Sequence, residues 1–419
     1  MHYASSNFRN PYCVFVLNSA QDVADALYLF KENITKFAVR GGGHMPIGGS
    51  NSINAPGVML SMSNQDMLAL SDDKSVVSVG PGHRWADVYE YLEPHCLVVV
   101  GSRIGLSFNS SQYGFASDNV VKYEVTNGII IEATTDNSCS DLFWALKSGG
   151  NSLCIVTGFD LSTFTSPQVW VGTAQCSSNQ SATFLDAVSN FAYYGALNAK
   201  AAITPIISFI PSQNKASYLL TKFYDSETDL PEAWQNFSSP NMSPSNDTYK
   251  LQPLSTFINV TTSPVTGSLR RKWRVISSIA DREALEIIHA TMLDLARKRL
   301  MFVNGGTAGL AFQLVTKEFI RQGELKGGDP QGIDISRVLY FWTVLQLAWA
   351  NKGYDDQTMD AFTDEFAATV NDQLASASRG AQYLFMDDAG EGQRVFESYG
   401  AENLEKLKAT REKYDPLKV

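Results

Sequence analysis

Three consecutive glycines close an apolar, strand-like run and end on a histidine, in Phe37-Ala38-Val39-Arg40-Gly41-Gly42-Gly43-His44. Glycine tolerates φ > 0, so successive backbone N–H groups can turn toward one point and cradle an anion. A histidine fixed at the end of such a cradle stands beside whatever carries the anion. Taken alone, the run is equally well explained as a tight glycine turn with a surface histidine.

Bulk composition narrows the classes. A chain of 419 residues exceeds one comfortable core, so two domains are expected. Hydrophobic content of 44% with 18% charged residues is that of a folded chain. A net charge of −10 and a pI near 5.1 argue against nucleic acid or an anionic membrane as partner. No apolar stretch approaches bilayer-spanning length, so no membrane partner is expected. Met1 to Pro11 shows no visible signal peptide. Seven Asn-x-Ser/Thr sequons stand at Asn33, Asn109, Asn179, Asn236, Asn241, Asn246 and Asn259. They hint at a secreted glycoprotein, and the four between Asn236 and Asn259 suggest an exposed loop. The five cysteines, Cys13, Cys96, Cys139, Cys154 and Cys176, have no CxxC spacing and give neither a disulfide framework nor a zinc site. The other histidines, His2, His83, His95 and His289, show no metal-ligand spacing, and His289 reads as a packing residue on a helix. No P-loop, nucleophile elbow or GxGxxG fingerprint is present.

Periodicity supplies the elements. Ser19-Ala20-Gln21-Asp22 reads as a helix start, with Val23, Leu27 and Phe30 on one face. Short strands are expected near Val58–Leu60, Ser75–Val79, Leu97–Val100, Val120–Val125, Ile129–Glu132 and Ile155–Phe164, with helices over Arg84–Glu93 and Asp141–Lys147. Asp281–Leu300 and Tyr354–Ala377 read as helices, Arg337–Ala350 as an apolar strand, and 236–248 as a loop. Such short strands with intervening helices fit an α+β fold better than a Rossmann alternation.

Further runs follow the histidine in order: Gly80-Pro81-Gly82, Arg84-Trp85-Ala86-Asp87-Val88-Tyr89, Gln112-Tyr113-Gly114-Phe115-Ala116-Ser117-Asp118-Asn119-Val120-Val121, Ser148-Gly149-Gly150-Asn151 and Ile155-Val156-Thr157. Near the end stands Ser398-Tyr399-Gly400-Ala401-Glu402-Asn403. Together they resemble the FAD-binding domain of the vanillyl-alcohol oxidase/p-cresol methylhydroxylase superfamily, in the fungal branch of the berberine bridge enzyme-like oxidases. The resemblance implies a two-subdomain FAD-binding domain of p-cresol methylhydroxylase type over 1–166, an α+β substrate domain with an antiparallel sheet over 167–395, and a segment over 396–419 that returns to the first domain. It implies FAD cradled by Arg40, Gly41, Gly42 and Gly43, bonded through its 8α-methyl to His44, with Gly48 and Gly49 letting the chain leave. Gly149, Gly150, Asn151, Ile155 and Val156 would meet the cofactor through backbone groups. The implied activity is an oxidase passing hydride from a small organic substrate to flavin, with O2 as acceptor and a role in secondary metabolism. A monomer on the secretory route is expected, and a metal is not.

The chain departs from the family pattern in three places. Where a long glycine-rich loop wraps the pyrophosphate, only Gly101 to Ser111 stand between Val100 and Gln112, without the cysteine that makes a second flavin bond. Leu153-Cys154 replaces Phe-Gly before Ile155. The Tyr-x-Asn-Tyr pattern becomes Tyr383-Leu384-Phe385-Met386, which leaves Tyr383 as the candidate catalytic hydroxyl. These departures keep two other readings open. One is a non-redox descendant with weakened FAD binding, serving as an isomerase, cyclase or binding protein. The other is a chain that lacks segments and folds poorly.

Overall fold

The computed structural model describes residues 4–45, 47–101, 106–228, 232–237, 242–261, 269–337 and 339–416. The first helix, Ala20–Glu32, starts where the sequence places it. The Ser19 hydroxyl accepts from the Asp22 amide, one of the donors a helix leaves unpaired, and Val23, Ala26 and Leu27 turn inward. Three short parallel strands accompany it in the order Cys13–Val16, Val58–Ser61, Phe37–Arg40. Their small core gathers Leu17, Val23, Leu27, Leu60 and Met62, and Ile155 packs against it.

A second sheet is antiparallel throughout, in the order Leu68–Leu70, Val76–Val79, Ile155–Ser162, Val120–Thr126, Ile130–Ala133. Helices Trp85–Leu92 and Ser140–Leu146 add Val88, Tyr89, Leu142 and Phe143 to its core. Val120–Thr126 and Ile130–Ala133 form a hairpin whose turn holds Gly128 at φ +108°, a conformation that favours glycine. The strand expected over Leu97–Val100 covers only Leu97–Val98. The cause is the Tyr89 hydroxyl, which engages the carbonyls of Val99 and Gly101 and the amide of Gly101 in place of a strand partner.

The largest sheet has eight antiparallel strands. Seven run in the order Asn246–Asp247, Val169–Cys176, Lys215–Tyr224, Ala201–Ile210, Thr307–Val315, Tyr340–Trp349, Arg270–Ile279, and Lys250–Gln252 pairs with Val169–Cys176. Helices Ser181–Tyr193, Arg282–Arg299 and Tyr354–Ser376 join a core with one set of its side chains, including Ile207, Phe312, Phe341 and Leu345. The alternate set, with Val171, Phe223, Val275 and Trp342, joins the core of the five-stranded sheet. Two antiparallel sheets thus share one apolar layer, in an α+β architecture. Of the loop expected over 236–248, residues 238–241 lie outside the described residues and the rest is only partly irregular. Trp234 in the 3-10 turn Glu232–Phe237 stacks on Phe191 at 5.5 Å, and Asn246–Asp247 adds an edge strand. The last helix, Ala401–Tyr414, packs on Ser140–Leu146, where Lys413 and the Tyr414 hydroxyl both engage Asp141, at 2.7 and 2.8 Å.

Candidate functional site

Strand Phe37–Arg40 delivers the glycines to a crowded point. A Cβ on Gly41 would lie 2.9 Å from the Pro81 carbonyl oxygen, so the loop passes directly over the Gly80-Pro81-Gly82 turn. That turn is itself packed: a Cβ on Gly80 would overlap the Gln65 carbonyl, and the amides of Gly80 and Gly82 donate to Met67 and Gln65. Gly42 faces space, its nearest neighbour being the Arg84 side chain at 3.9 Å from an added Cβ. Gly43 holds φ +70° and Gly49 φ +89°. His44 is exposed and Arg40 half-buried. Among the described residues, no backbone carbonyl accepts from the amides of Gly41, Gly42 or Gly43.

Two residues that the sequence did not single out hold this loop. Arg84 donates from Nη2 to the Gly42 carbonyl at 3.1 Å. Asn7, fully buried, donates to the Met45 carbonyl and accepts from the Gly49 amide. Nothing in the sequence around Asn7 marks it, because its role comes from a contact 38 residues away.

The other predicted residues form a second group. Gly149 ends a helix so tightly that an added Cβ would lie 2.9 Å from Leu153, and one on Gly150 would lie 3.1 Å from the Met386 sulfur. Ile155 and Val156 pair with Thr126 and Val125. Cys154 is half-buried and burial pushes its thiol up to about 12, which makes it unreactive. Tyr383 is buried, donates to the Gln331 side-chain oxygen, and packs on Trp342 and Tyr399 at 4.6 and 5.8 Å. The Tyr399 hydroxyl reaches the Ser148 carbonyl at 3.2 Å, which ties Tyr383 to the Gly149-Gly150 loop. Phe385 stacks on Trp342 at 5.0 Å. The two apolar replacements, Phe385 and Met386, are therefore packed into this group. Burial raises the Tyr383 pKa well above its ordinary value, and the neighbouring Tyr399 and Asp329 add to the effect.

The segment after the shortened loop is clamped by a buried charge cluster. Lys147 Nζ donates to the carbonyls of Lys326 and Gly328 and pairs with Asp118 at 3.6 Å. Lys326 donates to the Tyr113 carbonyl and to Asn119. The Asp118 carboxylate fits between Gly114 and Gly323, where added Cβ atoms would approach it to 2.7 and 2.8 Å. Burial raises the Asp118 pKa against the pull of Lys147 and Lys326. Of the shortened loop itself, residues 102–105 lie outside the described residues.

The first group suits an anionic cofactor. Three glycine amides without a backbone carbonyl partner among the described residues, an open face at Gly42 and the Arg84 guanidinium supply donors for phosphate oxygens, and the exposed His44 follows them directly. No side chain at Gly41 to Gly43 obstructs close approach.

A family profile described as FAD binding domain matches residues 11–128. The chain is 30% identical to an FAD-dependent monooxygenase of Arthrobotrys oligospora, over 97% of this chain and 80% of that protein. It is 29% identical to the bifunctional solanapyrone synthase of Alternaria solani, over 100% of this chain and 81% of that one. Its fold superposes on the xylooligosaccharide oxidase of Myceliophthora thermophila C1 with a TM-score of 0.79 at 17% identity, covering 100% and 92% of the two chains. Profile and relatives agree: the chain belongs to the FAD-dependent oxidoreductases, with a fold of the vanillyl-alcohol oxidase/p-cresol methylhydroxylase type.

Proposed function

We propose that this FAD-dependent oxidoreductase holds its cofactor covalently through His44 and oxidises a small organic molecule, with O2 as final acceptor. The observation that carries the tether is the cradle. Three consecutive amides lack a carbonyl partner among the described residues, and the exposed His44 follows them directly. Gly41, Gly42, Gly43 and Arg84 would hold the pyrophosphate, while Gly48 and Gly49, the latter pinned by Asn7, turn the chain away. FAD supplies a two-electron acceptor when bound. The chain's own residues exclude water and fix polar groups at the apolar layer between the two antiparallel sheets. Ser148 meets that layer through Tyr399 and Gly150 through Met386, and Gly149, Asn151, Ile155 and Val156 of the same segment would meet the cofactor through backbone groups. Tyr383 acts there as a fixed neutral donor, because its raised pKa keeps the proton on the hydroxyl at working pH.

The fungal relatives favour a place in secondary metabolism, and the exposed sequons favour a glycosylated, secreted monomer. Among the described residues no helix is long and apolar enough to cross a membrane. The test is the visible spectrum of purified protein before and after acid precipitation. Yellow colour that stays with the pellet, and is released in His44→Ala, supports the tether. Yellow colour left in the supernatant removes the tether and leaves the oxidoreductase reading. A colourless, folded protein favours the non-redox scaffold, for which the apolar Phe385 and Met386 are the motivating features.

A further inference from the structure

The eight-stranded sheet ends on strand Arg270–Ile279, and three ion pairs tie helix Tyr354–Ser376 to it. Arg270 meets Asp356, Lys272 meets Asp360 at 2.6 Å, and Arg274 meets Asp364 at 3.7 Å. Two strand residues advance about 7 Å and four helix residues about 6 Å, which keeps the series in step. It then runs out, because the next positions are Ile276 and Ala368. Where it ends, a cavity of about 260 Å³ is lined by Arg274, Asn371 and Arg394. Gln393 fixes Arg394 beside the sheet edge: its side chain accepts from the Val275 amide and donates to the Val275 carbonyl, both at 2.9 Å, as a strand partner would. Arg274 is 25% exposed and stands beyond hydrogen-bond reach of Asp364, itself 74% exposed. Arg394 lies 3.4 Å from the exposed Glu397 carboxylate. Among the described residues, no hydrogen bond joins the side chains of Arg274, Arg394 or Asn371 to the rest of the protein. Exposed carboxylates hold an arginine weakly, so both planar guanidinium forks keep donors to spare.

We propose that this cavity binds a small oxyanion, a molecule carrying carboxylate or phosphate groups, with Arg274 and Arg394 as its charged donors and Asn371 as a neutral one. Guanidinium groups match both kinds of oxyanion, because two parallel N–H groups meet two oxygens. The chain's net charge of −10 repels anions from the surface at large, so an anion is retained only where cationic donors converge. The volume exceeds what a single ion or water needs and suits a molecule of citrate's size. The site is separate from the glycine cradle, since neither Gly41 to His44 nor Arg84 lines it. Ala381, Leu384 and Ser277 complete part of its wall, and the Ser277 hydroxyl donates to the Tyr383 carbonyl. An anion here therefore borders the segment that carries Tyr383. Binding is reversible, and no covalent bond forms or breaks.

The test is isothermal titration of the purified protein, with the flavin it carries, against citrate and against inorganic phosphate, ionic strength being held constant with chloride. At least one of the two should bind saturably with a Kd of about 1 mM or tighter. Tighter citrate marks a carboxylate ligand and tighter phosphate a phosphorylated one, and either supports the site. Arg274→Gln and Arg394→Gln should each weaken binding about tenfold or more, as the loss of one charge-assisted hydrogen bond allows. Asn371→Ala should weaken it about threefold, as a neutral hydrogen bond allows. Arg394 is 82% exposed, so its variant keeps the fold, which an unchanged urea midpoint confirms. Arg321→Gln removes the same charge from an exposed position outside the cavity and should leave the affinity within about twofold. No saturable binding of either anion up to about 20 mM overturns the proposal. Equal weakening in Arg321→Gln also overturns it, because net charge alone would then explain the binding. Binding that survives Arg274→Gln and Arg394→Gln but falls in Arg84→Gln belongs to the glycine cradle and overturns it as well. The visible flavin spectrum of the same sample tests the oxidoreductase reading separately.

Discussion

The Tyr383 hydroxyl donates to the side-chain oxygen of Gln331, and both residues are buried, at 7% and 2% exposure. A hydroxyl so placed has spent its proton on a neighbour inside the fold. With its pKa raised by burial it stays a donor at neutral pH rather than a base. Tyr383→Phe leaves the Gln331 acceptor unpaired and is expected to cost about 1–3 kcal/mol of stability. Urea denaturation reads that loss, while the pH dependence of turnover should keep its shape. A lost limb in the pH profile with unchanged stability would mean that the hydroxyl moves a proton in the reaction.

The glycines separate into those the fold needs and those the cofactor needs. A Cβ at Gly80 overlaps a backbone carbonyl that cannot move independently of its strand exit, so Gly80→Ala is expected to lose about 1–3 kcal/mol or more. Gly42→Ala meets only an arginine methylene at 3.9 Å and should leave the fold within about 0.5 kcal/mol. The same variant puts a methyl group on the open face of the cradle and should lower flavin content. Thermal melting together with the ratio of visible to ultraviolet absorbance separates the two effects. Equal flavin content in Gly42→Ala and wild type would place the phosphates elsewhere.

Asp388 makes the fold sensitive to pH. Its carboxyl rises from an ordinary 3.8 to about 7 in the folded chain, so folding favours the neutral form. The associated stability is complete below about pH 4 and is lost as pH rises through about 7. Asp388→Asn, which is neutral at every pH, should therefore be more stable relative to wild type at pH 8 than at pH 5, by an amount on the order of a few kcal/mol. His289, whose pKa is lowered by burial, acts in the opposite direction in both proteins and cancels in the difference. Urea midpoints for the two proteins across pH 5–8 check the sign. A difference that does not change with pH would show that Asp388 is ionised in the fold throughout that range.

Local chemistry made part of this molecule readable in advance. Ser19 and Asp281 announce their helices because capping is a matter of adjacent residues, and the side chains of both accept from the amide three positions on. The glycine run at 41–43 is equally local. Asn7 escaped notice, and Arg84 and Tyr399 were read only as members of longer runs, because each acts across tens or hundreds of residues, on Met45, Gly42 and Ser148. The bond from Gln313 to Asp388 escaped for the same reason, since a glutamine in an apolar strand finds its partner only when a distant segment crosses it. The shortening of strand Leu97–Val98 depends on one tyrosine hydroxyl, which periodicity does not register.

The sequons are not equivalent once the fold is known. Asn109 is fully buried beneath the short helix Ser110–Tyr113, its backbone carbonyl accepting from the amides of Gln112 and Tyr113. A glycan there would require the folded chain to open. Asn179, Asn236 and Asn259 are exposed, as are Asn33 and Asn246. Expression through a secretory route should therefore attach glycans at Asn33, Asn179, Asn236, Asn246 and Asn259 and none at Asn109. Enzymatic removal with peptide-N-glycosidase F, followed by mass mapping of the Asn-to-Asp conversions, reads each site separately. Asn109→Gln should leave the glycan pattern intact and instead destabilise the chain by about 1–3 kcal/mol, since a longer amide must be placed in a fully buried site. A glycan found at Asn109 would mean that this segment is open when the chain is modified, and would place the folding of the clamp formed by Asp118, Lys147 and Lys326 after glycosylation.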